Sequence, residues 1–162
     1  MSFVAFPAQG PKDVAQLQTL LHRYRAALER IDDLFCARGE MLLAASALGI
    51  RRAEMAEWCG LSTPTVTVAL HRLRQQGVET RALRNPEAEL RAVTEELHAA
   101  QREAVELRQE LHAVLERLLG EGWNLTMLTV ATGVPERTLA KYRKPYVARR
   151  PPFGSGRGYG PE

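Results

Sequence analysis

Between Leu90 and Leu118, apolar residues recur at alternating steps of three and four: Leu90, Val93, Leu97, Ala100, Ala104, Leu107, Leu111, Val114 and Leu118. At 3.6 residues per turn these nine side chains lie along one stripe of a single helix. The start of that helix is marked by Asn85 as a cap, Pro86 at the first helical position, and Glu87 and Glu89 in the first turn. Its end is marked by Gly120 and Gly122. An apolar seam of this length must be covered by another helix, and this requirement limits the fold more than any other feature of the chain.

A second stripe is present upstream. Val14, Leu17, Leu21, Tyr24, Leu28, Ile31 and Phe35 follow the same three-four spacing, and Leu20, Ala27 and Leu34 widen it. No proline interrupts the stretch before Pro64, so one long helix, or two nearly collinear ones, is predicted over about residues 13–48. A helix of about 36 residues is roughly 54 Å long. The connection at 77–86 reaches at most about 35 Å. Antiparallel pairing of the two long helices is therefore expected, with a homodimer through the seams as a possible further assembly. Leucine at most a-type positions and Val or Ala at the d-type is not the pattern favoured by parallel dimers.

Each long helix is followed by two short ones. After Gly49 a helix is predicted at 51–59, ending at Gly60; Ser62 caps a third at about 63–76, ending at Gly77. After Gly122, Asn124 caps a helix at 125–132, Gly133 ends it, and a last helix at about 136–144 stops at Pro145. The fold class expected is all-α: two long helices with heptad-type seams, each followed by a helix-turn-helix unit. The expected organisation is a flexible arm at 1–12, a long helix with its short pair at 13–77, and a linker at 78–86. A coiled-coil-like helix with its short pair follows at 87–146, then a basic, Gly/Pro-rich disordered tail at 147–162. The halves suggest an internal repeat at an offset of 73 residues: Gly49 matches Gly122, Gly60 matches Gly133, Thr65 matches Thr138, and Leu17, Ala27, Leu34 and Leu42 match Leu90, Ala100, Leu107 and Leu115.

In the stretch RRAEMAEWCGLSTPTVTVALHRLR (51–74), Ala56 lies four residues before Gly60 and Val66 six after it, with Met55, Cys59, Leu61 and Ala69 at the remaining core offsets. A small residue admits the crossing of the second helix, and glycine supplies a positive φ in the turn. In NLTMLTVATGVPERTLAKYRKP (124–145), Gly133 and Leu139 keep that spacing, Leu128, Thr132, Val134 and Tyr142 take core positions, and Thr129 stands at the close approach. These two stretches, about 45 residues in all, resemble the DNA-binding units of bacterial helix-turn-helix regulators and resolvase-type recombinases.

The resemblance implies that the last helix of each unit enters the major groove of double-stranded DNA, with its N-terminal half near base edges. In the first unit it points to Ser62, Thr63, Thr67 and His71, with Pro64 and Val68 beside them. The Val and Thr methyls would meet thymine methyl groups, and Arg72 and Arg74 would meet phosphates. In the second it points to Arg137 on guanine and Glu136 on cytosine, with Lys141, Arg143 and Lys144 on phosphates and Arg149 and Arg150 extending the basic run. The implied function is sequence-specific DNA binding, transcriptional regulation above all, through two readers held at fixed spacing. A DNA-bridging or segregation role, or a coiled-coil protein adaptor, would use the same parts.

Charge placement agrees with this reading. Arg137 to Arg157 contains seven basic residues and no acid, whereas Glu87 to Glu121 contains nine acids and four bases. No nucleophile–base pairing, glycine-rich phosphate loop or zinc spacing is evident. His22, His71, His98 and His112 have no partner that the sequence places, so no catalysis, cofactor, metal or small-molecule effector is expected. Cys36 and Cys59 read as small buried hydrophobes in a reducing compartment. No apolar run approaches the length of a membrane span, and Met1 to Lys12 lacks the pattern of a secretory signal. A cytoplasmic, nucleoid-associated location is expected.

Overall fold

The computed structural model describes residues 11–146. The arm up to Gly10 and the tail from 147 onward, with Arg149 and Arg150, lie outside the described residues. Those described form α1 (Pro11–Ala47), α2 (Arg52–Cys59), α3 (Thr63–Gln75), α4 (Pro86–Gly120), α5 (Leu125–Thr132) and α6 (Glu136–Tyr142), with no strand among them. The fold is all-helical, and its two long helices stand where the apolar stripes place them.

Two compact units are present, each discontinuous in sequence. The α2–α3 unit comprises residues 29–101. The α5–α6 unit comprises residues 11–28 together with 102–146. Each unit thus takes one segment of α1, one segment of α4 and one pair of short helices.

In the α2–α3 unit the seam residues Leu90, Val93, Leu97 and Ala100 are all buried. Arg30 pairs with Glu96 at 3.3 Å, and Leu34, Ala37 and Met41 line a shallow groove with Glu89, Ala92, Val93 and Glu96. Higher numbers on α1 meet lower numbers on α4, so the two segments run antiparallel. From Met41 to Ala45 five consecutive residues are buried, which no single stripe would produce. Here α1 is covered from more than one side: Met41, Leu42, Leu43 and Ala45 share a core with Met55, Ala56 and Cys59 of α2, Val66 and Leu70 of α3, and Leu90 and Val93 of α4.

In the α5–α6 unit the seam continues through Ala104, Leu107, Leu111, Val114 and Leu118, again all buried, with Leu17, Leu20 and Ala27 of α1 and with Trp123, Leu128 and Leu139. Arg23 faces Glu103 at 3.8 Å, and Arg117 reaches Asp13 and Gln16 at 3.0 Å each, so these segments are antiparallel too. Such exposed pairs contribute at most about 1 kcal/mol; they mark the register that the apolar seam sets. Every seam position of α4 is buried within the one chain.

Two sequence expectations are corrected on α1. Phe35 is half-exposed, although its spacing places it on the stripe. Three residues turn a helix by 300°, so Phe35 lies roughly 60° round the helix from Arg38, and it is Arg38 that points inward, 7% exposed. Cys36, one residue further round, is exposed rather than buried; Cys59 is buried as expected.

Candidate nucleic-acid interface

Both short pairs bend at a glycine in the left-handed region. Gly60 has φ 62° and closes α2, with the Leu61 N–H donating to the Ala56 carbonyl at 2.8 Å. Gly133 has φ 73° and closes α5, its own N–H donating to the Thr129 carbonyl at 2.8 Å. A side chain there would clash with its own backbone, which is why glycine occupies both corners. The next N–H after the second corner is held differently: Val134 donates to the Thr132 hydroxyl at 3.3 Å.

At the first corner, Ala56 is buried where α3 crosses, and Met55, Cys59, Val66 and Leu70 fill the angle between the helices. Leu61 and Ala69, expected in the same core, are half-buried. At the second corner Leu128 and Leu139 are fully buried. Thr129, standing where alanine is usual, has its hydroxyl buried with no hydrogen-bond partner, an arrangement that costs about 1–3 kcal/mol.

The outward face of α3 has few free polar groups in its first two turns. The Ser62 hydroxyl caps the helix by accepting from the Thr65 N–H at 3.3 Å, and it lies 2.6 Å from the Thr65 hydroxyl. The Thr67 hydroxyl donates to the Thr63 carbonyl at 3.1 Å and accepts from Arg52 Nη1 at 3.2 Å. Ser62 and Thr67 are thus occupied within the protein. Thr63, Pro64, Val68, His71 and Arg72 are exposed, Val68 by 59%. Arg74, expected on a phosphate, donates to the Ser46 hydroxyl at 2.8 Å and ties α3 to the end of α1. The helix contains no acidic residue, and Arg72 and Arg74 lie in its last turn.

On α6, Glu136, Arg137 and Lys141 are exposed, as is Lys144 just after it. Glu136 accepts from the Thr126 hydroxyl at 3.5 Å, and Arg143 lies 3.6 Å from Glu116. The end of this short helix is fastened by two side chains of α4. Arg108 donates to the carbonyls of Lys141 at 2.8 Å, Lys144 at 3.2 Å and Tyr142 at 3.3 Å. His112 donates from Nδ1 to the Tyr142 carbonyl at 3.0 Å. The Arg108 guanidinium also stacks over the Tyr142 ring at 4.7 Å, and Tyr24 meets that ring edge-on at 5.8 Å. Burial pushes both phenols above their ordinary value, Tyr142 adding to the rise at Tyr24 and Arg108 opposing it at both.

Arg52, Arg108 and His112 shape these two faces and were not singled out for that role by sequence. The four-residue spacing of Arg108 and His112 puts them on one face of α4, but nothing in the sequence says that helix carbonyls end there. Arg38 was missed as well. Burial draws its guanidinium below the ordinary range, the Phe35 ring lies 5.3 Å away, and no carboxylate among the described residues pairs with it. No group of three or more potential metal-ligating side chains occurs among the described residues, and no helix there is long and apolar enough to cross a membrane. Compared with known proteins, the chain matches no protein-family model, no curated protein and no solved structure.

Proposed function

We propose that the chain is a sequence-specific DNA-binding protein, in the first place a transcriptional regulator acting at the nucleoid, which works by binding rather than by catalysis. One observation carries the reading: each left-handed glycine turns a short helix pair so that the second helix packs one side on its own unit and leaves the opposite face of its N-terminal half uncovered. That is the presentation a helix needs to enter a major groove. On α3 the uncovered side has no acid to repel phosphates, and on α6 it carries Arg137 and Lys141, with Lys144 just beyond the helix, against Glu136 alone.

The two faces divide the work differently. On α3 base edges would meet Thr63, Pro64, Val68 and His71, with Arg72 on the backbone. On α6 base edges would meet Arg137 and Glu136, with Lys141, and Lys144 just beyond the helix, on the backbone. Two readers on one chain raise overall affinity through effective concentration.

Titration of a labelled random-sequence duplex pool, followed by fluorescence anisotropy, tests the proposal. Binding should weaken steeply between about 50 and 200 mM salt, as neutralised phosphates regain their counterions. Repeated selection from the pool should converge on one motif, or on two at a constant spacing. A pool that never binds, or that binds without enrichment of any sequence, refutes sequence-specific recognition.

A further inference from the structure

We propose that Arg108 of α4 is the positioning residue of α6: by clasping the end of that helix it aims Arg137, and so sets base preference without itself meeting DNA. The effect on base preference rests on the DNA-binding reading given above; the clasp does not.

On its own, α6 cannot fix its direction. It has seven residues, and a helix that short is unstable alone in water. Pro135 at the cap position supplies no side-chain hydrogen bond, and Arg143 at the other end keeps a right-handed backbone, where α2 and α5 each close on a left-handed glycine. Leu139 is its one buried residue. A single apolar anchor lets a short helix pivot, so a second fixed point is needed, and α4 provides it. Arg108 Nη2 donates to the carbonyls of Lys141 at 2.8 Å and Lys144 at 3.2 Å, and Nη1 donates to that of Tyr142 at 3.3 Å. His112 shares the Tyr142 carbonyl at 3.0 Å. At the opposite end, the contact between Thr126 and Glu136 is long, at 3.5 Å. The helix is thus gripped at Leu139 and at its C-terminal end, and Glu136 and Arg137 lie at the end away from that grip. A tilt there would carry Arg137 across the base pair it meets.

The grip depends on arginine chemistry. Carbonyls at a helix C-terminus lack intrahelical partners and carry partial negative charge. A guanidinium reaches three of them together because its donors form a rigid fork. Its plane also stacks over the Tyr142 ring at 4.7 Å, which Tyr24 meets edge-on. Lysine would keep the charge without the fork or the plane.

The test uses the full chain and two variants that keep much of the stem, Arg108→Lys and Arg108→Gln. In the free protein, amide hydrogen exchange at Ala140, Lys141 and Tyr142 should quicken by about tenfold in either variant, the factor that one charge-assisted hydrogen bond carries. Exchange at Ala69, Leu70 and Leu73 of α3 should stay the same. Each base pair of the selected duplex is then substituted singly. The pair read by Arg137 is the one whose penalty vanishes in Arg137→Ala. In the unaltered protein that penalty should be about five- to 150-fold; in the Arg108 variants it should shrink to near unity, with the other penalties retained. Unchanged exchange in α6 overturns the clasp. Quickened exchange with a uniform loss of affinity on every sequence overturns positioning and leaves Arg108 a structural residue. The absence of any pair that depends on Arg137 overturns it as well, since Arg108 would then have nothing to aim. If the unaltered protein binds no duplex, it is the DNA-binding reading that fails, and the exchange rates still decide the clasp.

Discussion

Replacing Arg38 by methionine should make the protein more stable. Arg38 is 7% exposed inside the α2–α3 unit, and no carboxylate among the described residues balances its charge. Withdrawing a guanidinium from water costs several kcal/mol after the protein relaxes around it. One compensation is visible, the Phe35 ring at 5.3 Å, and a contact of this kind returns only about 0.5–1 kcal/mol at a partly exposed site. Cys59, the nearby group that would favour the charged form as a thiolate, is itself held protonated, chiefly by burial. Methionine keeps an unbranched apolar stem of similar length and leaves no charge to solvate. Arg38→Met should therefore gain about 1–3 kcal/mol. That corresponds to a rise of about 2–4 °C in melting temperature for each kcal/mol in a chain of this size. Urea and thermal melts of the two proteins measure it. A loss of 1 kcal/mol or more would show that the guanidinium contributes a favourable interaction, and that the charge is not the burden described here.

Other perturbations probe the turns, the tyrosine cluster and the reader on α6. At Gly60 an added Cβ meets no atom within 4 Å, so Gly60→Ala has only the left-handed backbone to contend with; it should cost about 1–2 kcal/mol, and Gly60→Asn less. Equal costs for the two variants in denaturant melts would refute that cause. Burial raises the pKa of Cys59, Tyr24 and Tyr142, so the native state holds protons that the unfolded chain releases first. Their contribution is complete below the ordinary thiol and phenol values and is lost as pH rises above about 9–10. Tyr24→Phe and Tyr142→Phe should each remove late-ionising phenol absorbance and lessen the alkaline loss of stability; early ionisation of both tyrosines would contradict this. Arg137→Ala should weaken binding to the selected duplex by about 1–3 kcal/mol and relax preference at one base pair, whereas an equal loss on every sequence would reduce Arg137 to a phosphate contact.

Much of the architecture was legible because it follows from spacing. All nine seam residues of α4 are buried, and the caps Ser62, Asn85 and Asn124 each accept a backbone N–H, from Thr65, Ala88 and Met127. Local rules are enough for such features. The α1 stripe was less legible because its buried direction depends on what packs against it. Leu20, Ala27 and Ile31 are buried, Leu21, Tyr24 and Leu28 half-buried, and Phe35 half-exposed. Polar partners could not be read at all. The sequence lists Thr67 and Arg52 fifteen residues apart, and Arg108 and Lys141 thirty-three apart, and only the folded chain brings each pair within hydrogen-bond distance. This is why Ser62 and Thr67 read as base-contacting hydroxyls in the sequence and as internal fasteners in the structure.

The account depends on the uncovered sides of α3 and α6 being the surfaces that meet DNA. Backbone amide spectra of the isotopically labelled full chain, recorded during addition of the selected duplex, report this residue by residue. Shifts should concentrate at Thr63, Val68, His71 and Arg72 and at Arg137 and Lys141, while the buried seam from Leu90 to Leu118 stays in place. Shifts confined to the α1 and α4 segments, with both short helices unmoved, would contradict it.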